Sequence, residues 1–250
     1  MRRMKWGLVL LAAMGLVGFS HAITLQDFQG LTVGQYVSGV DTNLDVGAQV
    51  WSPDMKINIV DDSGVGGTDP FGPLGNQSAR IFSNAVNFNV SYGFEEVSGK
   101  GIMSLDFNYD GGGDFFRVQG FGYDDGIWHN AWILTIQEDG SMELYDGASH
   151  ILDQTLTMGI NHTLAFEFDV VKEQLVAKLD GTPLTSGGAP VFGFRVTTPY
   201  VNVLQMEARD NADVYVDNLE LVSTGPSLPT VDFESPLTVG EFVAGTHAPA

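Results

Sequence analysis

The chain contains no cysteine, only eleven basic residues against 31 acidic ones, and almost no stretch with helical periodicity. Without cysteine there are no disulfides, no thiolate metal sites, no cysteine nucleophile and no lipidated cysteine. A formal charge of −20 leaves nothing from which to build a basic face for phosphate, which excludes nucleic acid as a partner. The five histidines are scattered, with no His-x-x-x-His pair. There is no Gly-x-Ser-x-Gly elbow, and Gly66-Gly67 and Gly111-Gly112-Gly113 lack the lysine or helix start of a phosphate loop. They read as turns. What is present is a turn-rich globular chain with 31 glycines in 250 residues, long enough for one sizeable domain or two small ones. Its surplus of carboxylates suits hard cations such as calcium, which take oxygen ligands.

Residues 1–22 read as a secretory signal peptide. Arg2, Arg3 and Lys5 form the positive end, Gly7 to Gly18 form a short apolar stretch, and Ser20-His21-Ala22 puts small residues at the minus-three and minus-one positions. The apolar run falls short of the roughly 20 residues that span a bilayer. An exported protein, secreted or held at the cell surface, cleaved after Ala22 and not inserted in the membrane, is expected. Cleavage leaves eight basic residues against 31 acidic ones, a charge of −23.

The rest of the chain is written in short alternating runs. Met103, Leu105, Phe107 and Tyr109 share one face of a strand; Leu164, Phe166, Phe168 and Val170 share one face of another. Trp132–Ile136 and Ser141–Tyr145 flank Glu138-Asp139-Gly140 and predict a hairpin. A second is predicted from Leu164–Val171 and Leu175–Leu179 about the turn Lys172-Glu173-Gln174, with a further turn at Asp180-Gly181. Val201–Met206 and Val214–Leu221 complete the set. Many short strands without helices predict an all-β, two-layer antiparallel β-sandwich of the jelly-roll kind.

An internal repeat divides the chain. Asp27-Phe28-Gln29-Gly30-Leu31-Thr32-Val33-Gly34-Gln35-Tyr36-Val37 returns as Asp232-Phe233-Glu234-Ser235-Pro236-Leu237-Thr238-Val239-Gly240-Glu241-Phe242-Val243 with one inserted residue. Residues 23–222 are therefore expected to form one complete unit. Residues 223–229, rich in Ser, Gly and Pro, read as a linker. Residues 230–250 read as the opening strand of a truncated second repeat, as in a tandem-repeat protein.

The stretch Asn161-His162-Thr163-Leu164-Ala165-Phe166-Glu167-Phe168-Asp169, followed by a turn and Leu175-Val176-Ala177-Lys178-Leu179-Asp180-Gly181, resembles a laminin-G-like, concanavalin-A-like jelly roll. The early Asp27-Phe28-Gln29 and the late Val214-Tyr215-Val216-Asp217-Asn218-Leu219-Glu220-Leu221 are similar to the bracketing strands of calcium-bearing β-sandwich carbohydrate-binding modules. That resemblance implies a structural Ca2+ shared by Gln29 and Asp217 at one edge of the sandwich. It also implies a polysaccharide or cell-surface glycan as partner.

Three further patterns carry chemistry. Glu167, Asp169 and Glu173 approach the carboxylate spacing of glycanases on this fold, which need an acid and a second carboxylate across the bond. They are one residue too far apart, and Glu173 falls in a turn, so they read as solvated strand residues. Asp106, Asn108, Asp110 and Gly111, with Asp114 at the ninth position, match half of an EF-hand loop, but Arg117 stands where a bidentate Glu is required. The segment Phe121–Trp132 mixes aromatic and polar groups as sugar sites do, offering Tyr123, Asp124, Asp125, Trp128 and Asn130 on a loop carried by a sheet. Trp132 reads as core, and Trp51 is the other aromatic candidate. A non-catalytic lectin-like module is the leading expectation, a structural or adhesive spacer the second and a glycanase-like enzyme the third.

Overall fold

Alternation of apolar and polar side chains along 161–169 buries His162, Leu164, Phe166 and Phe168 and leaves Thr163, Ala165, Glu167 and Asp169 more open. A half-buried strand requires that period of two. The computed structural model describes residues 21–26, 28–29, 36–37, 49–50, 55–64, 67, 69–72, 75–83, 88–124 and 127–223. Among them there are strands and turns and no helix. In chain order the strands begin with β1 (His21–Gln26), β2 (Tyr36–Val37), β3 (Gln49–Val50), β4 (Met55–Val60), β5 (Ser78–Ser83) and β6 (Phe88–Val97). Next come β7 (Lys100–Tyr109), β8 (Phe115–Asp124), β9 (Ile127–Gln137), β10 (Ser141–Tyr145), β11 (Ser149–Thr155) and β12 (Asn161–Asp169). The last are β13 (Gln174–Leu179), β14 (Thr182–Pro183), β15 (Phe192–Gly193), β16 (Val201–Arg209) and β17 (Asp213–Ser223).

These strands make two antiparallel sheets that form a sandwich. The first runs β14-β13-β12-β7-β17-β5-β4-β2, with β1 also on β17 and β15 also on β13; the second runs β11-β10-β9-β8-β16-β6-β3. Both expected hairpins are present, as β9–β10 and β12–β13. Asp180 and Gly181 both take positive φ, 51° and 75°, the pattern of a two-residue type I′ turn between β13 and β14. The Asp180 carboxylate also accepts the Thr163 N–H at 2.9 Å and faces His162 Nδ1 at 2.7 Å. One residue thereby closes a turn and ties it to the neighbouring strand.

Aromatic side chains fill the space between the sheets. Phe107 on β7 meets Phe116 on β8 at 5.7 Å between ring centroids. Trp132 on β9 meets Phe166 and Phe168 on β12 at 5.7 and 5.4 Å, and Phe194 at 5.7 Å. Trp132 is fully buried, as expected, and burial of such a ring stabilises by about 1.5–3 kcal/mol or more. Phe28 is likewise fully buried, with a left-handed backbone at φ 59°.

Strand β1 opens at His21 and pairs with Ser223, the last residue of β17. The remainder of the expected leader, residues 224–229 of the linker, the second repeat at 230–250 and Trp51 lie outside the described residues.

The Trp132 indole lies against the backbone of Gly120, where a Cβ would come within 2.3 Å of Cζ2. Gly120→Ala is therefore expected to cost about 1–3 kcal/mol through overpacking. Urea denaturation checks this, and an unchanged midpoint would contradict the close approach.

Candidate functional site

The face of the second sheet turned away from the core is unusual in what it carries. On β8 the residues alternating with core members Phe116 and Val118 are Phe115, Arg117, Gln119, Phe121 and Tyr123. Phe115 and Phe121 are buried without belonging to the core cluster. Across this face side-chain amides form a row. Asn130 Nδ2 donates to Gln119 Oε1 at 2.9 Å, Gln119 Nε2 to Gln205 Oε1 at 3.0 Å, and Gln205 Nε2 to Ser91 Oγ at 2.9 Å. The row crosses β9, β8, β16 and β6. Its starting atom, Asn130 Oδ1, has no hydrogen-bond partner although Asn130 is only 8% exposed. An unmet buried acceptor of this kind costs about 1–3 kcal/mol. One row along, Arg117 donates to Glu207 at 2.8 Å and to Thr135 at 3.1 Å, and lies over the Phe115 ring at 4.3 Å.

At one end of the amide row stands an aromatic cluster. Trp128 meets Phe121 edge-on at 5.3 Å and Tyr123 at 4.8 Å between ring centroids. Tyr123 is 40% exposed. Its backbone is clamped on both sides: its N–H donates to Asn202 Oδ1 at 2.8 Å, and its carbonyl accepts Asn202 Nδ2 at 3.1 Å and the Tyr200 hydroxyl at 3.2 Å.

A bulge brings the aromatic cluster and the amide row together. Gly120 pairs with Trp132 and Phe121 with Asn130, leaving Ala131 as an extra residue on β9. Ala131 and Trp132 are both fully buried members of the core. With two consecutive residues turned inward, Asn130 and Trp128 emerge on the outer face. The Ala131 carbonyl accepts the Arg195 N–H at 2.6 Å.

Of the residues expected to bind a ligand, Tyr123, Trp128 and Asn130 meet on this face. They stand on paired strands and not on a loop, which corrects the expectation: Tyr123 pairs with Trp128 across β8 and β9. Asp124 ends β8, and Asp125 lies outside the described residues. Sequence reasoning missed Gln119, Gln205 and Ser91. The signal was available for Gln119, in the alternation of Phe115, Arg117, Gln119, Phe121 and Tyr123 with Phe116, Val118, Gly120 and Gly122.

The Gln29 and Asp217 pair sits on the outer side of the first sheet, joined through Asn76. Gln29 Nε2 donates to Asn76 Oδ1 at 3.1 Å and to the Gln77 carbonyl at 3.0 Å. Asn76 Nδ2 donates to Asp217 at 3.0 Å and to Asp69 at 2.9 Å. Asp217 is almost fully buried and lies directly opposite Asp106. Asp106 accepts from the Thr163 hydroxyl at 2.6 Å and from Asn218 Nδ2 at 2.9 Å. Asn76, Asp106, Asp217 and Asn218 border a polar cavity of about 360 Å³ that Phe71 and Asn161 also line. On β5 the Ser78 hydroxyl is buried without a partner. The oxygen-rich corner suits a hard cation in donor type. Among the described residues, however, no group of three or more His, Asp or Glu is arranged as an ion site.

The other carboxylate patterns have ordinary partners. Glu167 pairs with Lys178, and Asp169 lies 3.9 Å from both Lys100 and Lys172. Glu173 takes a positive φ of 53° in the turn between β12 and β13. Asp106 and Asn108 alternate along β7, and Arg117 is on β8, so the half EF-hand pattern is a strand and its exit.

Fold and face together define a two-sheet β-sandwich with an aromatic and amide surface on one sheet. Among solved structures the chain is similar to a sialidase, with a TM-score of 0.55 and 9% identity over 78% of this chain. The match spans only 19% of that sialidase's length. The chain is also similar to lectin I of Ulex europaeus, solved with the methyl glycoside of α-L-fucose (TM-score 0.49, 7% identity, 82% of this chain and 98% of that one). The carbohydrate-binding module CBM66 of Bacillus subtilis is a further match (TM-score 0.44, 9% identity, 74% and 99%). At these identities the likeness is one of fold. No family model matches the chain, and no curated protein matches it.

Burial, and then the neighbouring Asp69 and Asp106 carboxylates, hold the Asp217 carboxyl above the usual carboxylate range, against the hydrogen bonds from Asn76 and the Asn218 N–H. A carboxyl whose folded pKa exceeds its unfolded value penalises folding when ionised, and the penalty fades as pH falls through the folded value. Asp217→Asn is therefore expected to raise the melting temperature at neutral pH without added metal and to narrow the gap as pH falls. A lower melting temperature for the variant at neutral pH would contradict this.

Proposed function

We propose that the protein is a non-catalytic carbohydrate-binding module of an exported, repeat-built protein, holding its glycan on the outer face of the seven-stranded sheet. One observation carries the proposal. Tyr123 and Trp128 stand ring to ring on paired strands beside Asn130, whose buried carboxamide oxygen has no partner. The C–H faces of a pyranose ring are apolar and carry slight positive charge, so they stack on an aromatic ring, while its hydroxyls donate to and accept from amides. A rigid sheet presents both kinds of group without an ordering cost on binding. The ion pairing of Glu167 and Asp169 supports a binding role over a hydrolytic one.

Calcium belongs to the same proposal, as a structural ion shared by Gln29 and Asp217 at the corner where Asn76 joins Asp217 to Asp69. Its charge there would offset the repulsion among Asp217, Asp69 and Asp106. Added calcium should raise the melting temperature of the wild type relative to chelator, and Asp217→Asn should abolish that increment. A wild-type melting temperature indifferent to calcium would remove the ion from the account.

The test of binding is retention of the folded protein on a panel of immobilised polysaccharides. Trp128→Ala should weaken retention about tenfold or more, as loss of a central aromatic anchor does, while the melting temperature stays near that of the wild type. Failure of a well-folded wild type to bind any polysaccharide would turn the account to a spacer, a role suited to acidic sandwiches repeated along a chain.

A further inference from the structure

The class of glycan can be narrowed, on the premise that the outer face of the second sheet is the binding surface. We propose that this face selects neutral sugars, and that Glu207 is the residue that sets the preference by occupying Arg117. Both lie in the middle of the sheet, on β16 and β8, and pair in register across the two strands. The Arg117 guanidinium lies one row from Gln119, where a sugar carboxylate would otherwise find a bidentate partner. It is instead held by Glu207 at 2.8 Å and by Thr135 at 3.1 Å, and it is stacked on Phe115. Glu207 is itself only 7% exposed, so its charge acts on Arg117 with little screening by solvent. Arg209, which also packs over Phe115, has Asp114 at 3.8 Å and Asp210 at 3.7 Å. The net charge of the protein, −20, adds long-range repulsion of any polyanion.

The amide row points to the same ligand class. Asn130, Gln119 and Gln205 donate in one direction and terminate at Ser91, so the unmet atom at the far end is an acceptor. Reversing all three amides would leave an unmet N–H in its place. A hydroxyl, both donor and acceptor, completes the row in either sense; an ionised carboxylate completes it in only one. Strands repeat at about 4.8 Å, so the row sets one polar group on each of four strands across the sheet.

Titration of the full chain with a neutral oligosaccharide series and with oligogalacturonates, at low and high salt, tests this. The wild type should bind neutral chains with little salt dependence and oligogalacturonates at least about tenfold more weakly. Glu207→Gln, which leaves Arg117 charged without its carboxylate, should gain about tenfold or more for oligogalacturonates at low salt and lose that gain at high salt. If Glu207→Gln folds poorly, Asn130→Ala provides the second arm and should weaken neutral binding about tenfold. The double variant Arg117→Gln/Glu207→Gln, neutral again at this position, should lack the acidic affinity of Glu207→Gln. Acidic binding by the wild type as tight as neutral binding, including through Arg195 over Tyr145 on β10, overturns the proposal. So does an unchanged preference in folded Glu207→Gln. In both cases glycan binding itself survives, whereas no binding of either class, with Trp128→Ala indistinguishable from wild type, removes the underlying function.

Discussion

The single extra residue at Ala131 is the constraint on which the outer face depends. Strict alternation from Ile136, Leu134 and Trp132 would send Asn130 and Trp128 into the core. The inward pair Ala131 and Trp132 shifts the phase. The bulge is held from both sides, by the Arg195 N–H on the Ala131 carbonyl and by the Trp132 indole packed over Gly120. A bulge that re-aims side chains near a functional surface is a recurring use of the device. Here it sets a tryptophan and a carboxamide beside Tyr123 and Gln119, which β8 presents by plain alternation.

That phase shift marks where the sequence stopped being legible. The two-sheet sandwich, the β9–β10 and β12–β13 hairpins and the burial of Trp132 all follow from period-two patterning and turn residues, which are local signals. The region 121–130 breaks the pattern, with two aspartates and a glycine at 124–126, and so it reads as a loop. Its described residues are instead the end of β8, to Asp124, and the start of β9, from Ile127. Alternation along β8 puts Gln119 on the outer face without saying what it meets, and Gln205 carries no local mark of function. Only the register of β8 between β9 and β16 makes them neighbours. The Gln29 and Asp217 juxtaposition was visible through resemblance of the chain's two ends, but Asn76, which joins them, lies 47 residues from Gln29 and 141 from Asp217.

The treatment of charge is consistent across both outer faces. With 31 carboxylates and few cations, many acidic groups are met by neutral donors. Asp217 and Asp69 share the Asn76 amide, Asp106 takes Thr163 and Asn218, and Asp153 takes the Thr185 hydroxyl and the Gly187 and Gly188 N–H groups. Such bonds stabilise the ionised form without a counter-charge. Arginine is placed sparingly, and the two that pack on Phe115 have carboxylates close by. The first sheet's outer face is thereby acidic and amide-bridged, while the second sheet's carries aromatic rings, amides and the paired Arg117 and Glu207.

The most direct test of the account is to follow the indole and side-chain amide resonances of the protein by NMR while a neutral oligosaccharide is added. The Trp128 indole and the Asn130, Gln119 and Gln205 carboxamides should shift together, while the buried Trp132 indole stays close to its starting position. Shifts confined to the Asn76 and Asn161 amides around the Asp217 cavity would contradict it, placing the ligand on the opposite sheet.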